Sequence, residues 1–447
     1  MSFDTIIIGA GHNGMTAAAV LAKSGRKVLV LEAGETVGGM AQTAEFASGF
    51  RASSVAHVLN RLDPAVIRAL DLYRHGLATK ADTAPTIAIS QGQDPLILNG
   101  AYGEQTLGLD AANSARWQVL RQRLMFQSSL LKSFVNQVPI QPGAARFTQK
   151  WPAIKTALRL KLAGKDEMRQ FMRMILMAVA DVADEDITDD RLLGLLAFDA
   201  TLGVHLGPRS PTSMLGLYYR LAGQAAGARG GQVIPVGGMG AVMQAFQSAA
   251  KAAGVVFRTG AKVTKITVEN GRATGVVLTG GEAIAAREVV SAIHPATTFL
   301  DLVGPRELDA GLVRDIRTIR TKGNVSRINL ALNVQPEFSG VAAHHMNARF
   351  VVAPSTDHVE RAFNPSKYDE MSGAPCFEFT LPTAPDSAMA PDGGATLSIA
   401  VSNTPYGLKG GWKRGEKQLE RSVLSQLEKL SPGIGKSVVG TEILTPP

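Results

Sequence analysis

The chain opens with a short apolar run, a glycine-rich turn and a second apolar run. Residues 5–8 are β-branched and predict a buried strand, and residues 15–22 have the small apolar composition of a helix that Gly25 ends. Residues 27–32 predict a second strand, which ends in the acid Glu32. The pattern therefore predicts a strand–helix–strand unit within about 30 residues.

Helical periodicity dominates the middle of the chain. Between about residues 72 and 227 the apolar positions predict four amphipathic helices, at residues 115–137, 165–182, 189–202 and 212–226. A further apolar helix is predicted at residues 241–253.

Alternating segments follow, with Asn270-Gly271 and Gly280-Gly281 as turns. They predict a β-meander built from residues 255–257, 261–268, 273–278 and 283–292. The last third predicts strands at residues 326–332, 349–353, 376–381 and 395–401, and then a helix at 416–430.

The first turn has the chemistry of a dinucleotide site. In Gly9-Ala10-Gly11-His12-Asn13-Gly14, the first glycine permits a tight turn, Gly11 lets the backbone approach a pyrophosphate, and Gly14 lets the helix pack on the strand. The helix N-terminus adds unpaired N–H groups and partial positive charge. Glu32, 18 residues after Gly14, is placed to accept hydrogen bonds from a ribose. These residues leave NAD and FAD open.

A glycine doublet after this acid narrows the choice. Gly38-Gly39 is followed by Met40 and, further on, by Gly49-Phe50-Arg51-Ala52-Ser53-Ser54. In these motifs the chain resembles the flavoprotein superfamily of phytoene desaturases, carotenoid isomerases, monoamine oxidases and Rab GDP-dissociation inhibitors. It is most similar to the phytoene desaturase-related branch that includes the relatives of pyridine nucleotide-disulfide oxidoreductase domain-containing protein 2. No Cys-x-x-Cys pair is present.

The resemblance implies an α/β fold with a Rossmann-like FAD-binding domain and an α+β substrate domain. The implied FAD-binding domain is discontinuous, at residues 1–71 and 228–298, and the substrate domain takes residues 72–227 and 299–447. Met40 replaces the usual basic residue, so the backbone there is expected to meet the phosphates. The expected cofactor-binding residues are Gly9, Gly11, His12, Asn13, Gly14, Glu32, Ala33, Gly38, Gly39, Met40, Val263 and Ala292.

Other polar features give weaker signals. The glycine-rich segment at 235–240 resembles a second phosphate loop, and the family places this segment beside the flavin. His57 has two open roles, facing the flavin or a plain structural one, and we favour the second. The acids between residues 181 and 190 lack calcium-loop spacing, so we expect a helix start with Thr188 as N-cap. On a strand, the adjacent His344 and His345 would point to opposite faces, so no metal site is expected.

Composition and charge set further bounds. The chain has 447 residues and one cysteine, Cys376, which excludes an internal disulfide and a zinc site of paired cysteines. No apolar stretch is long enough to span a bilayer. Net charge is +8, and residues 115–175 contain twelve basic residues and two acids. Aromatic residues are interleaved there, so the segment is either a solvated face or a surface for anionic lipid. Nucleic acid is the least favoured partner.

The resemblance implies an FAD-dependent oxidoreductase that removes hydride from a hydrophobic small molecule. Two alternatives remain: a flavin amine oxidase, and a non-catalytic lipid- or prenyl-binding protein of the GDP-dissociation-inhibitor type. No acid–base constellation or catalytic residue is evident in the sequence, which suits a reaction whose electron sink is the flavin. We expect a cytoplasmic location, peripheral to the inner face of a membrane. Because a family segment that meets the flavin is missing at the C-terminus, we expect the sequence to be a fragment.

Overall fold

The fold is built on two large sheets in a computed structural model that describes residues 3–78, 83–135 and 147–447. Counts below refer to these ranges. The strands, in chain order, are β1 (Phe3–Ile8), β2 (Val28–Leu31), β3 (Thr43–Ala47), β4 (Phe50–Ser53), β5 (Thr86–Ala88), β6 (Leu96–Asn99), β7 (Gln105–Leu107), β8 (Gln224–Ala225), β9 (Ala228–Arg229), β10 (Val256–Arg258), β11 (Val263–Glu269), β12 (Arg272–Leu278), β13 (Ala283–Ser291), β14 (Val325–Leu332), β15 (Arg349–Val352), β16 (Phe377–Thr380), β17 (Ala395–Ser402) and β18 (Val438–Leu444).

The helices connect the strands and pack against these sheets. In chain order they are α1 (His12–Lys23), α2 (Pro64–Leu70), α3 (Ala111–Val135), α4 (Phe147–Leu162), α5 (Lys165–Met174), α6 (Val179–Asp184), α7 (Asp190–Thr201), α8 (Met214–Leu221), α9 (Gly238–Ala252), α10 (Ala310–Thr318), α11 (Thr356–Phe363), α12 (Trp412–Leu430) and α13 (Ile434–Ser437).

The six-stranded sheet contains both chain-opening strands and has the order β10-β2-β1-β13-β12-β11. Its first four strands are parallel to one another, and β11, β12 and β13 form an antiparallel meander. The strands β1 and β2 are buried, since helices α1 and α9 cover one face and the meander covers the other. The predicted Rossmann-like layer with its meander is confirmed.

The eight-stranded sheet has the order β18-β14-β17-β16-β15-β5-β6-β7 and is mixed, because β15 and β5 are parallel while its other pairs are antiparallel. Residues alternate between its two faces. Ile328 and Leu330 pack with Leu427 of α12 in an apolar core. Arg327 and Asn329 lie between them on the opposite, polar face, where they are also buried.

Three element predictions were wrong, each for a tertiary reason. Residues 165–182 form two helices, α5 and α6, because the Leu176 carbonyl accepts from the Thr212 N–H and the Ser213 hydroxyl accepts from the Val179 N–H. Residues 212–226 stop being helical at Leu221 and continue as the β8–β9 hairpin. Residues 255–257 belong to the parallel layer rather than the meander, since β10 pairs with β2.

One side-chain prediction was also wrong, and the strand assumed in the argument about His344 and His345 is absent. Asp189, and not Thr188, caps α7: its carboxylate accepts from the Arg191 and Leu192 N–H groups. Thr188 instead bonds to Asn113. The pair His344 and His345 lies in a short 3-10 turn with ring centroids 4.0 Å apart, so the argument from opposite strand faces does not apply. Within the described ranges no group of three or more His, Cys, Asp or Glu is arranged for a metal ion.

The basic segment divides between the core and the surface. Trp117, Leu120 and Leu124 of α3 are buried, whereas Trp151 and Leu158 of α4 are exposed. The predicted end of the first helix, residues 136–137, lies outside the described residues. No helix in the described part of the chain has the length and hydropathy that a bilayer crossing requires.

Candidate functional site

A large cavity opens at the carboxyl ends of β1 and β2. Its volume is about 1090 Å³, and its walls come from the loops after both strands, from α9 and from the start of β11. Ligands of parallel α/β sheets bind at this edge. The predicted site residues that line the cavity are Gly9, Gly11, His12, Asn13, Glu32, Ala33, Gly39, Met40, Val263 and Ala292. Gly14 and Gly38 lie outside this lining.

The N-terminus of α1 faces the cavity without a side-chain cap. Gly11 is the N-cap residue, and because it has no side chain it cannot accept hydrogen bonds from the first N–H groups of the helix. A Cβ built on Gly11 would have no heavy atom within 4 Å, so the space beside this backbone is open. Uncapped N–H groups and the helix dipole attract phosphate. This end of the cavity therefore fits a diphosphate.

Two glycines outside the lining shape the turn by packing. A Cβ on Gly14 would lie 2.0 Å from the Gly9 carbonyl oxygen and 3.2 Å from the Ala292 Cβ, so α1 can approach the sheet only without a side chain here. Gly38 has φ of +125° and donates its N–H to the Ala10 carbonyl at 2.9 Å. The glycine doublet is thereby fixed against the first turn.

Glu32 spans the same turn with its carboxylate. One oxygen accepts from the Ala10 N–H at 2.8 Å, and the other accepts from the Gly34 N–H at 3.0 Å. Each carboxylate oxygen has a further lone pair, which a ribose hydroxyl can use. Glu32 thus has two functions that the sequence pattern did not separate, because it orders the turn as well as facing the cavity.

The second glycine-rich helix start differs from the first. In α9 the Met239 N–H donates to the Ser53 hydroxyl and the Gly240 N–H donates to the Thr43 hydroxyl, both at 2.9 Å. These N–H groups are therefore satisfied within the protein and are not available to a phosphate. The interpretation of residues 235–240 as a phosphate loop does not hold, although Met239 does line the cavity.

An apolar wall closes the cavity opposite the glycine-rich turn. It comes from one face of α9 and from the loop between β4 and α2, and both were missed as site residues because apolar stripes at helical spacing usually belong to a core. The wall residues are Met239, Val242, Met243, Phe246, Ala56, Val58, Leu59 and Leu62. The lining also has four ionisable side chains that carried no motif: Arg61, Lys262, His294 and Asp301.

Val263 starts the meander strand β11, whereas Ala292 follows β13 and lies against the glycine-rich turn. Val263 is buried and pairs with Leu278, and the Ala292 N–H donates to the Ile8 carbonyl at 2.9 Å. Both therefore have main-chain positions fixed by the sheet. His57 does not line the cavity. Its ring is buried against Arg327 and Glu378 of the eight-stranded sheet.

A model of the flavin-containing amine oxidoreductase family matches residues 14–440. The chain belongs to this family. A relative from Rattus norvegicus, pyridine nucleotide-disulfide oxidoreductase domain-containing protein 2, is 30% identical over 475 aligned residues, covering 99% of this chain and 81% of that protein. Prolycopene isomerase 2 of an Oncidium hybrid cultivar is 26% identical, over 99% of this chain and 72% of that protein.

The fold has solved counterparts as well. An oxidoreductase from Methanosarcina mazei superposes with a TM-score of 0.62 at 16% sequence identity, over 99% of this chain and 88% of that one. The family assignment makes this chain an FAD-dependent oxidoreductase of the phytoene desaturase-like type, with FAD as its cofactor. The residues present fit that cofactor, since an uncapped helix N-terminus, a carboxylate and an apolar wall all line a single cavity.

Proposed function

We propose that FAD lies along this cavity with its adenine near Val263, its ribose at Glu32 and its diphosphate between Gly11 and Gly39. The uncapped start of α1 beside the open space at Gly11 carries the proposal. The apolar wall formed by α9 and the loop after β4 then receives the flavin ring. When bound, FAD supplies the two-electron acceptor for oxidation of a substrate C–H or C–N bond.

The site test uses flavin affinity. We expect the purified protein, titrated with FAD, to give the yellow flavin spectrum. We expect Glu32→Ala to weaken FAD binding by about tenfold or more, since a hydrogen bond to a charged group is worth about 1.5–3 kcal/mol. The exposed neighbour Glu35, which lies outside the cavity lining, serves as the control, and Glu35→Ala should bind normally. Equal affinity in both variants would refute the placement of the ribose.

We further propose a hydrophobic substrate. A second, mostly apolar cavity of about 180 Å³ adjoins the cofactor cavity, and Leu59 and Leu62 line both. Its other walls come from α2 and from the β8–β9 hairpin, including Ile67 and Ala225. The two leucines separate the expected flavin end from this cleft. An apolar molecule held in the cleft would therefore lie next to the expected flavin end, in surroundings with little water.

Amine oxidation is the second candidate, because the matched family is named for amines. Anaerobic reduction of the flavin distinguishes the two. We expect an acyclic polyene hydrocarbon to bleach the flavin band and benzylamine to leave it unchanged. Bleaching by benzylamine alone, with substrate-dependent hydrogen peroxide in air, would favour the amine oxidase. The Leu62→Lys variant should slow bleaching by the polyene, because a charge in the shared wall opposes entry of an apolar chain.

We propose an anionic membrane surface as a partner, with a location peripheral to the inner face of a membrane. On α4, Trp151, Ile154, Leu158 and Leu162 recur at helical spacing and are between 41 and 77% exposed. Exposed basic residues flank this stripe, namely Lys155, Lys161, Lys165 and Arg169. An apolar stripe bordered by cations is typical of helices that lie in the membrane interface.

Vesicle sedimentation tests this surface. We expect the protein to sediment with vesicles that contain phosphatidylserine and not with phosphatidylcholine alone. Leu158→Glu should reduce binding, whereas Val439→Glu, at an equally exposed position on β18, should not. Binding that is unchanged in the first variant would refute this surface.

We propose two domains with the boundaries that the sequence predicts. The FAD-binding domain consists of residues 1–71 and 228–298, and the substrate domain consists of residues 72–227 and 299–447. The distribution of strands supports them. The strands of the six-stranded sheet lie between residues 3 and 31 and between 256 and 291, and those of the eight-stranded sheet lie between 86 and 107 and between 325 and 444.

A further inference from the structure

The loop between β4 and α2 connects the cofactor cavity with the eight-stranded sheet. Ala56, Val58 and Leu59 of this loop line the cavity. Its backbone is held by N–H groups of Ser54, Ala56, Leu59 and Leu62, which donate to the carbonyls of Gln42, Met40, Val233 and Gln224. Between these points the His57 side chain is buried against the sheet, with 8% of its surface exposed.

The partners of His57 determine its protonation state. Arg327 Nη1 lies 2.8 Å from His57 Nδ1, and a guanidinium can only donate, so Nδ1 must accept. The ring is therefore neutral and carries its hydrogen on Nε2. That nitrogen lies 3.2 Å from Glu378 Oε1, a close contact that lacks the geometry of a hydrogen bond. Burial, with Arg327 next in effect, lowers the pKa of His57 to about 4, which agrees with the neutral ring.

The sheet residues that hold His57 are themselves held. Arg349 donates to Glu378 and to Asp199 of α7, each at 2.5 Å. Arg327 Nη2 donates to the Ser398 hydroxyl at 2.5 Å. Counting Arg220, three arginines face the two carboxylates Glu378 and Asp199, so a protonated His57 would add to an existing excess of positive charge. Further contacts come from Arg220 of α8 and from Tyr102, both on Asp199.

We propose that His57 is a positioning residue for the cofactor. Its hydrogen bond with Arg327 and its contact with Glu378 hold the segment between Ala56 and Leu59 against the eight-stranded sheet, and through that segment they order the wall formed by Ala56, Val58 and Leu59. The inference rests on the proposed use of this cavity by FAD. A site whose wall is already ordered binds more tightly than one that must be ordered on binding.

The Ser54 side chain of this loop bonds away from the polar face of the sheet, since its hydroxyl donates to the Gln42 carbonyl. Arg61 of the same loop donates to the Tyr219 carbonyl, on α8, and stacks on the Tyr219 ring. His57 thus links strands β14 and β16 to the cavity wall. Removal of its polar atoms should leave the cavity residues intact but lessen their order.

The experiment compares two substitutions of similar size. His57→Gln keeps one donor and one acceptor, and His57→Leu keeps neither. We expect the leucine variant to bind FAD at least tenfold more weakly, with a flavin spectrum shifted toward that of free FAD, and the glutamine variant to remain within about threefold of the unmodified protein. His75→Ala, which removes a histidine on Ser248 outside this group, serves as the control and should bind normally.

A milder variant covers the case in which His57→Leu does not fold. Ser398→Ala removes an acceptor from Arg327 without a change in the loop or the cavity, and it should weaken FAD binding by about threefold. If His57→Leu folds, its normal affinity and unshifted spectrum would overturn this inference alone; if it does not fold, normal FAD affinity in Ser398→Ala would do so. Failure of the unmodified protein to bind FAD would overturn both this inference and the proposed site.

Discussion

At the scale of single residues, the two glycines around the start of α1 meet different constraints. A side chain on Gly11 would enter the open cavity, whereas a side chain on Gly14 would collide with the Gly9 carbonyl. Gly11 has φ of −74° and ψ of 175°, an ordinary extended conformation for any residue. The first glycine therefore leaves room for a ligand, and the second permits the packing of helix on strand.

This contrast gives a paired prediction. We expect Gly11→Ala to keep its melting temperature and lose FAD affinity, because its methyl group takes space only from the ligand. We expect Gly14→Ala to lower the melting temperature, since a 2.0 Å contact forces α1 away from the sheet. Calorimetry and FAD titration on both variants test it, and a stable Gly14→Ala protein with normal affinity would contradict the packing argument.

The cysteine at position 376 offers a second prediction at this scale. Cys376 is fully buried in the core around α7, and burial raises the pKa of its thiol to about 12. We expect a thiol reagent such as DTNB to modify no group in the native protein at pH 8 and one group in denaturant. Rapid modification of the native protein would show that this core opens.

At the scale of elements, the start of α7 shows how closely a helix boundary depends on its cap. We expect Asp189→Ala to cost about 1–2 kcal/mol in the free energy of unfolding, because the Asp189 carboxylate accepts from two N–H groups of α7 and pairs with Arg191. Asp190→Ala, at an exposed position in the first turn, is the control and should cost less. Urea denaturation measures both, and equal costs would contradict the assigned cap.

Element prediction was most accurate where neighbouring residues supply the whole signal. The strand, turn and helix of residues 5–22 and the long helix α12 follow from local pattern alone. The break between α5 and α6 does not, because it depends on bonds from Leu176 and Val179 to residues more than thirty positions away. The cap of α7 was off by one residue, since Thr188 and Asp189 are both good N-cap residues.

At the scale of the whole molecule, the charged group around His57 links the cavity loop, the eight-stranded sheet and α7, and it gives a pH prediction. The folded pKa of His57 is about 4, below its ordinary value of 6.5, so the unfolded chain binds more protons between these values. This contribution to stability is therefore complete above pH 6.5 and is lost as the pH falls toward 4.

Urea denaturation at pH 7 and pH 5 tests this dependence. Between pH 7 and pH 5, we expect the free energy of unfolding of the unmodified protein to fall by up to about 2 kcal/mol more than that of His57→Gln, since glutamine does not titrate. The pKa of Glu378 is held well below its ordinary value by Arg349 and His57, against the opposing effect of burial. The stability that Glu378 contributes is therefore lost mainly at lower pH. Parallel losses in the two proteins would show that His57 is not the group responsible.

The sequence by itself determined the half of the cavity that we propose for the nucleotide. Gly9, Gly11 and Glu32 belong to one short βαβ unit, and there the spacing of residues fixes both the local structure and the chemistry. The glycine doublet, through a family resemblance, identified the cofactor as a flavin, and the family match agrees.

Only the tertiary structure decided the rest of the cavity. The wall residues of α9 and of the loop after β4 are distant in sequence, and their apolar side chains are indistinguishable from core until the two segments are seen to meet. The same holds for His57, which is separated by 270 residues or more from Arg327 and Glu378 in the chain. The reason is physical: burial and pairing of side chains depend on contacts between strands and helices that sequence spacing does not record.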